Sequence, residues 1–333
     1  MNPGTEASSH VAVIGLGAWG SALAHYCAGL GHRVTAWHKD PHAVAEMQSS
    51  KTLKVSGHSI ALPANLTLTS SLADCSDADF TIVALPASAW SEVVPSLSTK
   101  ILISATKGLE KTSGLTPLSY AHTRLGINPQ KLCVISGPSF AADLVSGTPI
   151  SVTAASSDSG TAHQVAQLLA GNALRVYTSS DPLGVELGGI LKNIIAIAVA
   201  ISDGLAYGPS TRAALISRGL AEMNRVATAL GADSRTIFGL SGLGDLVMTA
   251  TDDQSRNRKV GLRLGKGEKL SAIIASIHAT AEGVYSAPLV EKLAASKGIE
   301  TPIISGVVQV LNETMTPKEL AAHLMSRPIR SEF

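Results

Sequence analysis

The chain has 333 residues, of which 45% are hydrophobic and 15% are charged, and its formal net charge is +1. This composition is typical of an ordered globular protein long enough for two domains, and it excludes an intrinsically disordered chain. The near-neutral charge argues against a nucleic-acid-binding or membrane-surface protein, because such domains usually carry a clear basic excess.

Residues 1–9, MNPGTEASS, are small and polar and lack the apolar segment of a signal peptide, so they predict a flexible tail. The three cysteines, Cys27, Cys75 and Cys133, lie far apart and form no CxxC pair. A sparse, odd number of cysteines indicates a reducing compartment, and we therefore expect a cytoplasmic protein. We expect no membrane insertion, since no run reaches about 18 apolar residues.

From residue 10 onwards, short β-rich runs alternate with helical patterns. This alternation predicts an α/β fold, a Rossmann-like domain over residues 10–188 with a doubly wound parallel sheet. Gly31 stands where the first helix should end, as a C-terminal cap. The predicted strands cover residues 10–15, 33–37, 79–85, 100–105, 131–136, 150–155 and 173–178.

After Tyr177 the pattern changes to almost continuous helical periodicity. Ser180, Asp181 and Pro182 form a favourable helix start, with a capping side chain followed by proline in the first turn. We therefore predict an all-helical C-terminal domain over residues 189–333, joined to the first domain near residues 181–190.

The first predicted strand runs directly into a GxGxxG turn formed by Gly15, Gly17 and Gly20. Such glycines permit the tight turn, the close approach of a pyrophosphate and close packing of the helix on the strand. Anions are favoured at the helix N-terminus that follows, where backbone N–H groups lack partners. The position of this motif between the first strand and the first helix predicts a dinucleotide site.

The end of the second predicted strand bears on the choice between NAD and NADP. An acidic residue there would hold the ribose 2′-hydroxyl, whereas a basic residue would suit a 2′-phosphate. In the sequence WHKDP, Asp40 is best explained as a helix cap, which leaves Lys39 near the ribose together with His38 or Arg33. We favour NADP, with NAD remaining open.

Three predicted strands end in unusual turns at residues 84–88, 105–110 and 135–141. In an open parallel sheet, ligands bind beyond the carboxyl ends of the strands. Lys107 offers a cation there, and Gly137 to Ser139 offer backbone N–H groups and a hydroxyl. Each turn alone is unremarkable, but three at one edge predict a ligand cleft.

Ser255, Arg256 and Asn257 supply a hydroxyl, a bidentate donor and an amide, a combination suited to binding phosphate. Because Arg258 and Lys259 follow directly, a solvated basic face explains the same residues equally well.

Lys192 stands at the head of the apolar run 194–201, where a buried lysine is costly unless it has a role. Burial would favour proton transfer near neutral pH, but a lysine that extends from the helix towards solvent is the commoner case. Gly188 and Gly189 weaken the helix just upstream, which suggests close approach of a cofactor or of the first domain.

Eight blocks of the sequence resemble, in chain order, those of the NAD(P)-dependent glycerol-3-phosphate dehydrogenases of bacterial type: GLGAWG, ATKGLE, SGPSFA, GGILKNIIAIAVAISDGLAYG, AEM, GLGDL, QSRNRK and AEG. The resemblance runs from about Val11 to about Leu320. It implies reduction of dihydroxyacetone phosphate to sn-glycerol 3-phosphate with NAD(P)H, which supplies phospholipid synthesis. Two alternatives stay open: another two-domain reductase of 3-hydroxyacid or 6-phosphogluconate type, and a non-catalytic NAD(P)-sensing protein.

The resemblance also implies roles for individual residues. Lys192 would be the catalytic proton donor and acceptor, Asp245 its polar partner, and Lys107 would touch both cofactor and substrate. We further expect a small phosphorylated substrate, no bound metal and a homodimer. Substrate contacts are implied for Lys107, Gly137, Ser139, Lys192, Asp245, Ser255, Arg256 and Asn257, and cofactor contacts for Gly15, Gly17, Ala18, Trp19, Gly20, Lys39, Lys107, Ala141, Arg256, Thr280 and Glu282.

Overall fold

The computed structural model describes residues 8–277, 280–329 and 331–332. Residues 1–7 of the predicted tail 1–9 lie outside the described residues. The chain divides into two compact units, one comprising residues 1–110 and 115–185 and the other residues 111–114 and 186–333. The domain limits 10–188 and 189–333 stay a prediction, because compactness alone does not establish independent folding.

The first unit contains ten described strands. Eight form one sheet in the order β10-β9-β8-β7-β6-β1-β2-β5, and β3 and β4 form a separate hairpin. The strands are β1 His10–Ile14, β2 Arg33–Trp37, β3 Thr52–Val55, β4 His58–Ala61, β5 Leu66–Thr69, β6 Phe80–Val83, β7 Ile101–Ser104, β8 Leu132–Ser136, β9 Ile150–Ala155 and β10 Leu174–Ser179.

All the strands that the sequence predicts are confirmed, and β3, β4 and β5 were missed. β5 is a four-residue edge strand that alternates buried leucine with threonine. The hairpin had a signal in the sequence, the turn-forming dipeptide Ser56-Gly57. In the structure both residues have positive φ, at 49° and 85°, as a two-residue hairpin turn requires.

The predicted parallel sheet is confirmed except at one pair, since β8 and β9 run antiparallel. A parallel pair needs a long crossover, usually a full helix. The connection between these strands carries only the six-residue helix Ala141–Ser146 and does not return the chain to the opposite end of the sheet. The sheet is therefore mostly parallel and Rossmann-like, with its antiparallel pair away from the glycine turn.

Helices flank the sheet, and every regular element described from residue 182 to residue 325 is helical. The helices are α1 Ala18–Gly29, α2 Pro41–Ser50, α3 Trp90–Val93, α4 Pro117–Leu125, α5 Ala141–Ser146, α6 Ser159–Leu169, α7 Pro182–Gly204, α8 Pro209–Ala229, α9 Ser234–Ile237, α10 Asp245–Thr251, α11 Arg256–Gly265, α12 Leu270–Ser276, α13 Glu282–Ser296, α14 Pro302–Leu311 and α15 Pro317–Met325.

The helix α7 forms the centre of the second unit. It starts as predicted, since the Asp181 carboxylate accepts a hydrogen bond of 2.9 Å from the Gly184 N–H. By length and mean hydropathy it could cross a membrane, but its most apolar 18-residue window is wholly buried inside the protein. We conclude that α7 is a core helix.

Two glycines of α11 allow its backbone to approach that of α7 closely. A Cβ on Gly261 would lie 2.4 Å from the carbonyl oxygen of Ile197, and one on Gly265 would lie 2.4 Å from that of Ile201. Such distances leave no room for a side chain at either position. The start of α11, with Arg256 and Asn257, is thereby held against the helix that carries Lys192.

A buried carboxylate joins two other helices of the second unit. Glu222 of α8 accepts hydrogen bonds from the N–H groups of Ile303 and Ile304, of 3.1 and 2.8 Å, in the first turn of α14. Burial raises the pKa of Glu222 from 4.5 to about 7, in spite of these bonds. The folded state therefore binds this proton more tightly than the unfolded chain does.

The stability that this protonation provides is complete below pH 4.5 and is lost as the pH rises through about 7. We expect Glu222→Gln to abolish this pH-dependent part of the free energy of unfolding. It amounts to up to about 3 kcal/mol, since one pKa unit corresponds to about 1.4 kcal/mol. Denaturant unfolding of both proteins between pH 5 and pH 8 measures it. A constant stability difference across that range would contradict the expectation.

Candidate active site

The glycine turn after β1 has the geometry that a dinucleotide requires. Gly15 has φ of +101°, and a Cβ on Gly20 would lie only 1.8 Å from the carbonyl oxygen of Gly15. Gly17, the exposed residue before α1, has no atom within 4 Å of the position of a Cβ. The turn is thus closed on the protein side and open at the helix N-terminus, an end that favours the binding of anions.

Other predicted cofactor residues of the first unit lie near helix starts. Ala18 and Trp19 form the first turn of α1 and are half-buried, and Ala141 is the buried first residue of α5. Lys39 is exposed just beyond β2. The predicted capping role of Asp40 is confirmed, because its carboxylate accepts a hydrogen bond of 2.9 Å from the His42 N–H.

The three strand-end turns lie along one edge of the sheet, as predicted, since β6, β7 and β8 are adjacent and parallel. Thr106 joins two of the turns: its hydroxyl donates to the Leu85 carbonyl at 2.8 Å and accepts from the Trp90 indole N–H at 2.7 Å. Thr106 and Trp90 were not predicted to be part of this site.

The third turn is tied to Lys107. The carbonyl oxygen of Gly137 accepts hydrogen bonds from Lys107 Nζ at 3.2 Å and from the Ser139 hydroxyl at 3.1 Å. Gly137 has φ of +155°, and a Cβ there would lie 2.9 Å from the carbonyl oxygen of Ser151. One backbone carbonyl therefore orients both predicted substrate-contacting side chains.

In the second unit, Lys192 is buried and fully engaged by other side chains. Its Nζ lies 2.9 Å from Asp245 Oδ1 and donates a hydrogen bond of 2.6 Å to the Thr249 hydroxyl. That hydroxyl donates to Asp245 Oδ1 at 3.2 Å. Because the side chains of Lys192 and Asp245 are 7% and 0% exposed, the lysine does not extend to solvent.

Thr249 is the member of this cluster that sequence reasoning missed. It lies four residues after Asp245 in α10, so both side chains occupy the same helix face. That spacing was the available signal. The carboxylate supplies the negative charge that a buried ammonium group needs, and the hydroxyl fixes the direction of its N–H bonds.

A π-helical turn, Leu240–Gly244, leads directly into Asp245 and sets its position. A Cβ on Gly188 would lie 2.9 Å from the carbonyl oxygen of Ser241, so this turn packs against the backbone of α7. The predicted close approach at Gly188 is present. Within the second unit, the partner in this close approach is the π-helical turn.

Asn257 links α7 to the start of α13. Its side-chain amide donates to Asn193 Oδ1 at 2.8 Å, and its carbonyl oxygen accepts from the Gly283 N–H at 3.0 Å. Asn193 in turn donates to the carbonyl of Gly189 at 3.2 Å. The buried amide of Asn257 therefore has a positioning role in addition to any contact with substrate.

The remaining predicted residues lie around the start of α11 and the start of α13. The Ser255 hydroxyl caps α11 by accepting a hydrogen bond of 3.1 Å from the Arg258 N–H. Arg256 is exposed and interacts electrostatically with Glu282. Thr280 and Glu282 are half-buried. Among the described residues, no group of three or more His, Cys, Asp or Glu side chains is placed to hold a metal.

Comparison with known proteins gives matches along nearly the whole chain. Two family models match, the N-terminal part of NAD-dependent glycerol-3-phosphate dehydrogenase over residues 10–162 and its C-terminal part over residues 181–322. Glycerol-3-phosphate dehydrogenase [NAD(P)+] of Thioalkalivibrio sulfidiphilus is 43% identical over 97% of this chain and 98% of its own length. That of Geobacter metallireducens is 42% identical over the same shares.

Solved structures agree with this result. The crystal structure of glycerol-3-phosphate dehydrogenase from Coxiella burnetii has a TM-score of 0.90 and 36% identity, covering 96% of this chain and 99% of that chain. A ketopantoate reductase from Ralstonia eutropha reaches a TM-score of 0.57 at 15% identity, covering 94% of this chain and 99% of that chain. The latter likeness concerns the fold alone.

Proposed function

The chain belongs to the NAD-dependent glycerol-3-phosphate dehydrogenase family, and we propose that Lys192 is the proton donor and acceptor of its reaction. As an NAD(P)-dependent member of this family, it reduces dihydroxyacetone phosphate to sn-glycerol 3-phosphate. This membership argues against both alternatives, a two-domain reductase of 3-hydroxyacid or 6-phosphogluconate type and a non-catalytic NAD(P)-sensing protein.

The observation that carries the proposal is the buried cluster of Lys192, Asp245 and Thr249. Reduction of a ketone places negative charge on the carbonyl oxygen, which must then receive a proton. The ammonium group of Lys192 stabilises that charge and donates the proton, while Asp245 keeps the ammonium charged in its buried setting. When bound, the nicotinamide cofactor supplies the hydride for the carbonyl carbon.

For the cofactor, we propose that the glycine turn and the first turn of α1 receive the pyrophosphate. Gly17 gives open access to the helix N-terminus, and Ala18 and Trp19 supply backbone N–H groups there. Ala141, Thr280 and Glu282 are further proposed cofactor contacts, by the resemblance of their sequence blocks.

We propose a preference for NADPH, supported by the exposed Lys39 beyond β2 and by the use of Asp40 as a helix cap. Lys39→Ala should lower kcat/KM for NADPH by about 10-fold and leave that for NADH unchanged, since one charged contact is worth about 1.5 kcal/mol. Steady-state kinetics with both cofactors test this. An equal effect on both would remove Lys39 from the 2′-phosphate site.

For the substrate, we propose that Ser255, Arg256 and Asn257 form the phosphate site. Lys107, Gly137 and Ser139 are further proposed substrate contacts, by the resemblance of their sequence blocks. The exposed guanidinium of Arg256 at the start of α11 supports this assignment. Its planar fork suits two phosphate oxygens, and α11 presents its positive N-terminal end there.

Arg256→Ala should lower kcat/KM for dihydroxyacetone phosphate by about 10- to 100-fold, because a hydrogen-bonded charged contact contributes about 1.5–3 kcal/mol. Dihydroxyacetone, which lacks the phosphate, should lose far less. Lys259→Ala, an exposed cation on the same helix, is the matched control and should change neither value. Equal losses for both ketones would remove Arg256 from the phosphate site.

We further propose that the enzyme is a cytoplasmic homodimer whose product supplies phospholipid synthesis. The three cysteines are buried and form no disulfide, which supports a reducing compartment. Sedimentation velocity tests the dimer. A single species with the mass of one chain, 34.2 kDa, would contradict it.

A further inference from the structure

Arg258, which is adjacent to the proposed phosphate site but not part of it, is a buried cation. Its side chain is 10% exposed, and its Nη1 pairs with Asp203 Oδ2 and donates to the Ala250 carbonyl at 2.9 Å. Its Nε donates to Asp253 Oδ1 at 3.0 Å. A buried cation needs such compensation, and three acceptors in different directions match the rigid fork of a guanidinium.

The three acceptors belong to three separate segments of the second unit. Asp203 lies in the last turn of α7, Ala250 near the end of α10, and Asp253 in the connection from α10 to α11. The backbone N–H of Arg258 also donates to the Ser255 hydroxyl. Through these contacts, Arg258 links both ends of the segment 251–257 to α7.

On α7, Arg258 contacts the end of the helix that is remote from Lys192. Its partner Asp203 follows Lys192 by eleven positions on the same helix, which corresponds to about 16 Å at 1.5 Å per residue. The segment that Arg258 holds in place adjoins the Lys192 cluster and the proposed phosphate site in sequence. Ala250 directly follows Thr249, and the fastened segment contains Ser255 and Arg256.

We propose that Arg258 is a positioning residue, which holds Ser255 and Arg256 in the orientation that binds the substrate phosphate. The inference rests on the proposed phosphate site and adds to it the side chain on which its geometry depends. Without Arg258, the connection around Asp253, whose side chain is 84% exposed, would lose its link to α7. Misplacement of Arg256 would then weaken binding of the phosphate.

Arg258→Ala should raise KM for dihydroxyacetone phosphate by about 10-fold or more, because small displacements of binding groups have large effects. The kcat value and KM for NADPH should change by less than about threefold, since the Lys192 cluster and the glycine turn are untouched. Arg258→Lys should not restore KM, because one ammonium cannot reach three divergent acceptors. Added guanidinium ion should restore it in part for Arg258→Ala.

Two further variants separate positioning from folding. Arg212→Ala is the matched control, since Arg212 bonds the same Asp203 from α8 at 2.9 Å. It should leave KM unchanged. The double variant Arg258→Met with Asp203→Asn removes both buried charges, so it should fold well and still show the raised KM.

A double variant with the thermal stability and KM of the parent enzyme would overturn the inference. So would equal increases of KM in the Arg212 and Arg258 variants, because a general loss of stability would then explain both. If Arg256→Ala fails to discriminate between the two ketones, the phosphate site itself is wrong. If Arg256→Ala discriminates while the Arg258 variants keep the parent KM, only the positioning role is wrong.

Discussion

Replacing Lys192 with methionine is expected to lower kcat for dihydroxyacetone phosphate by about 10²–10⁴-fold, the usual contribution of a positioned general acid. Methionine keeps the length and much of the volume of the lysine stem but cannot donate a proton. NADPH should still bind, since the proposed pyrophosphate site lies in the glycine turn of the first unit. Fluorescence titration of NADPH and single-turnover kinetics separate binding from chemistry.

Lys192→Met also has an effect on stability that must be separated from the effect on catalysis. Removal of the ammonium takes away the positive charge that lies 2.9 Å from Asp245, whose side chain is fully buried. Breaking a buried ion pair in this way costs about 3–5 kcal/mol. Asp245→Asn in the same chain also removes the buried negative charge, so the double variant should regain most of the free energy of unfolding.

The double variant therefore decides between a catalytic and a structural lysine. If Lys192 is the proton donor, Lys192→Met with Asp245→Asn is stable and remains inactive. If the lysine only neutralises Asp245, the double variant regains stability and is at least as active as Asp245→Asn alone, the comparison that accounts for the predicted contact of Asp245 with the substrate. Thr249→Val is a milder control: it keeps the charges and the shape, removes the hydrogen bonds of the hydroxyl with Lys192 and with Asp245, and should lower kcat by about 10-fold or less.

The sequence predicted the fold where its signals are local. Strands such as β1 and β8 are buried along their whole length and read as continuous apolar runs. The direction of β9 depends instead on whether the connection from β8 is long enough to return the chain to the opposite end of the sheet. The composition of β9 itself does not indicate its direction. The edge strand β5 is short and half-polar, so its pairing with β2 is decided by the rest of the sheet.

For the candidate site, residue types were predictable but their pairing was not. Lys192 was ambiguous because its partner Asp245 lies more than fifty positions later, and only packing of α7 on α10 brings them together. For Asn257, the predicted contact with substrate stays a prediction, and a second role was missed. It was predicted as a substrate contact, and the structure shows that both polar atoms of its amide also hold helices in place.

A methyl group added at Gly20 should have the second large effect, acting on the cofactor site and not on proton transfer. The Cβ of an alanine would lie 1.8 Å from the Gly15 carbonyl oxygen and 3.0 Å from its carbonyl carbon. The space on the other side of Gly15 is also narrow, because a Cβ on Gly15 would lie 2.9 Å from the carbonyl oxygen of Ala84. The N-terminus of α1 must therefore shift away from the turn.

Gly20→Ala should reduce NADPH affinity by at least about 10-fold and the free energy of unfolding by about 1–3 kcal/mol, as overpacking in a tight contact does. Gly29→Ala, at the exposed end of the same helix with no atom within 4 Å of the new Cβ, should bind NADPH normally and gain slightly in stability. Gly17→Ala meets no protein atom either, so it should stay stable. If Gly17→Ala nevertheless loses NADPH affinity, the open space at Gly17 is where the cofactor approaches the backbone. Normal binding of NADPH by this variant would contradict a close approach of the cofactor at Gly17.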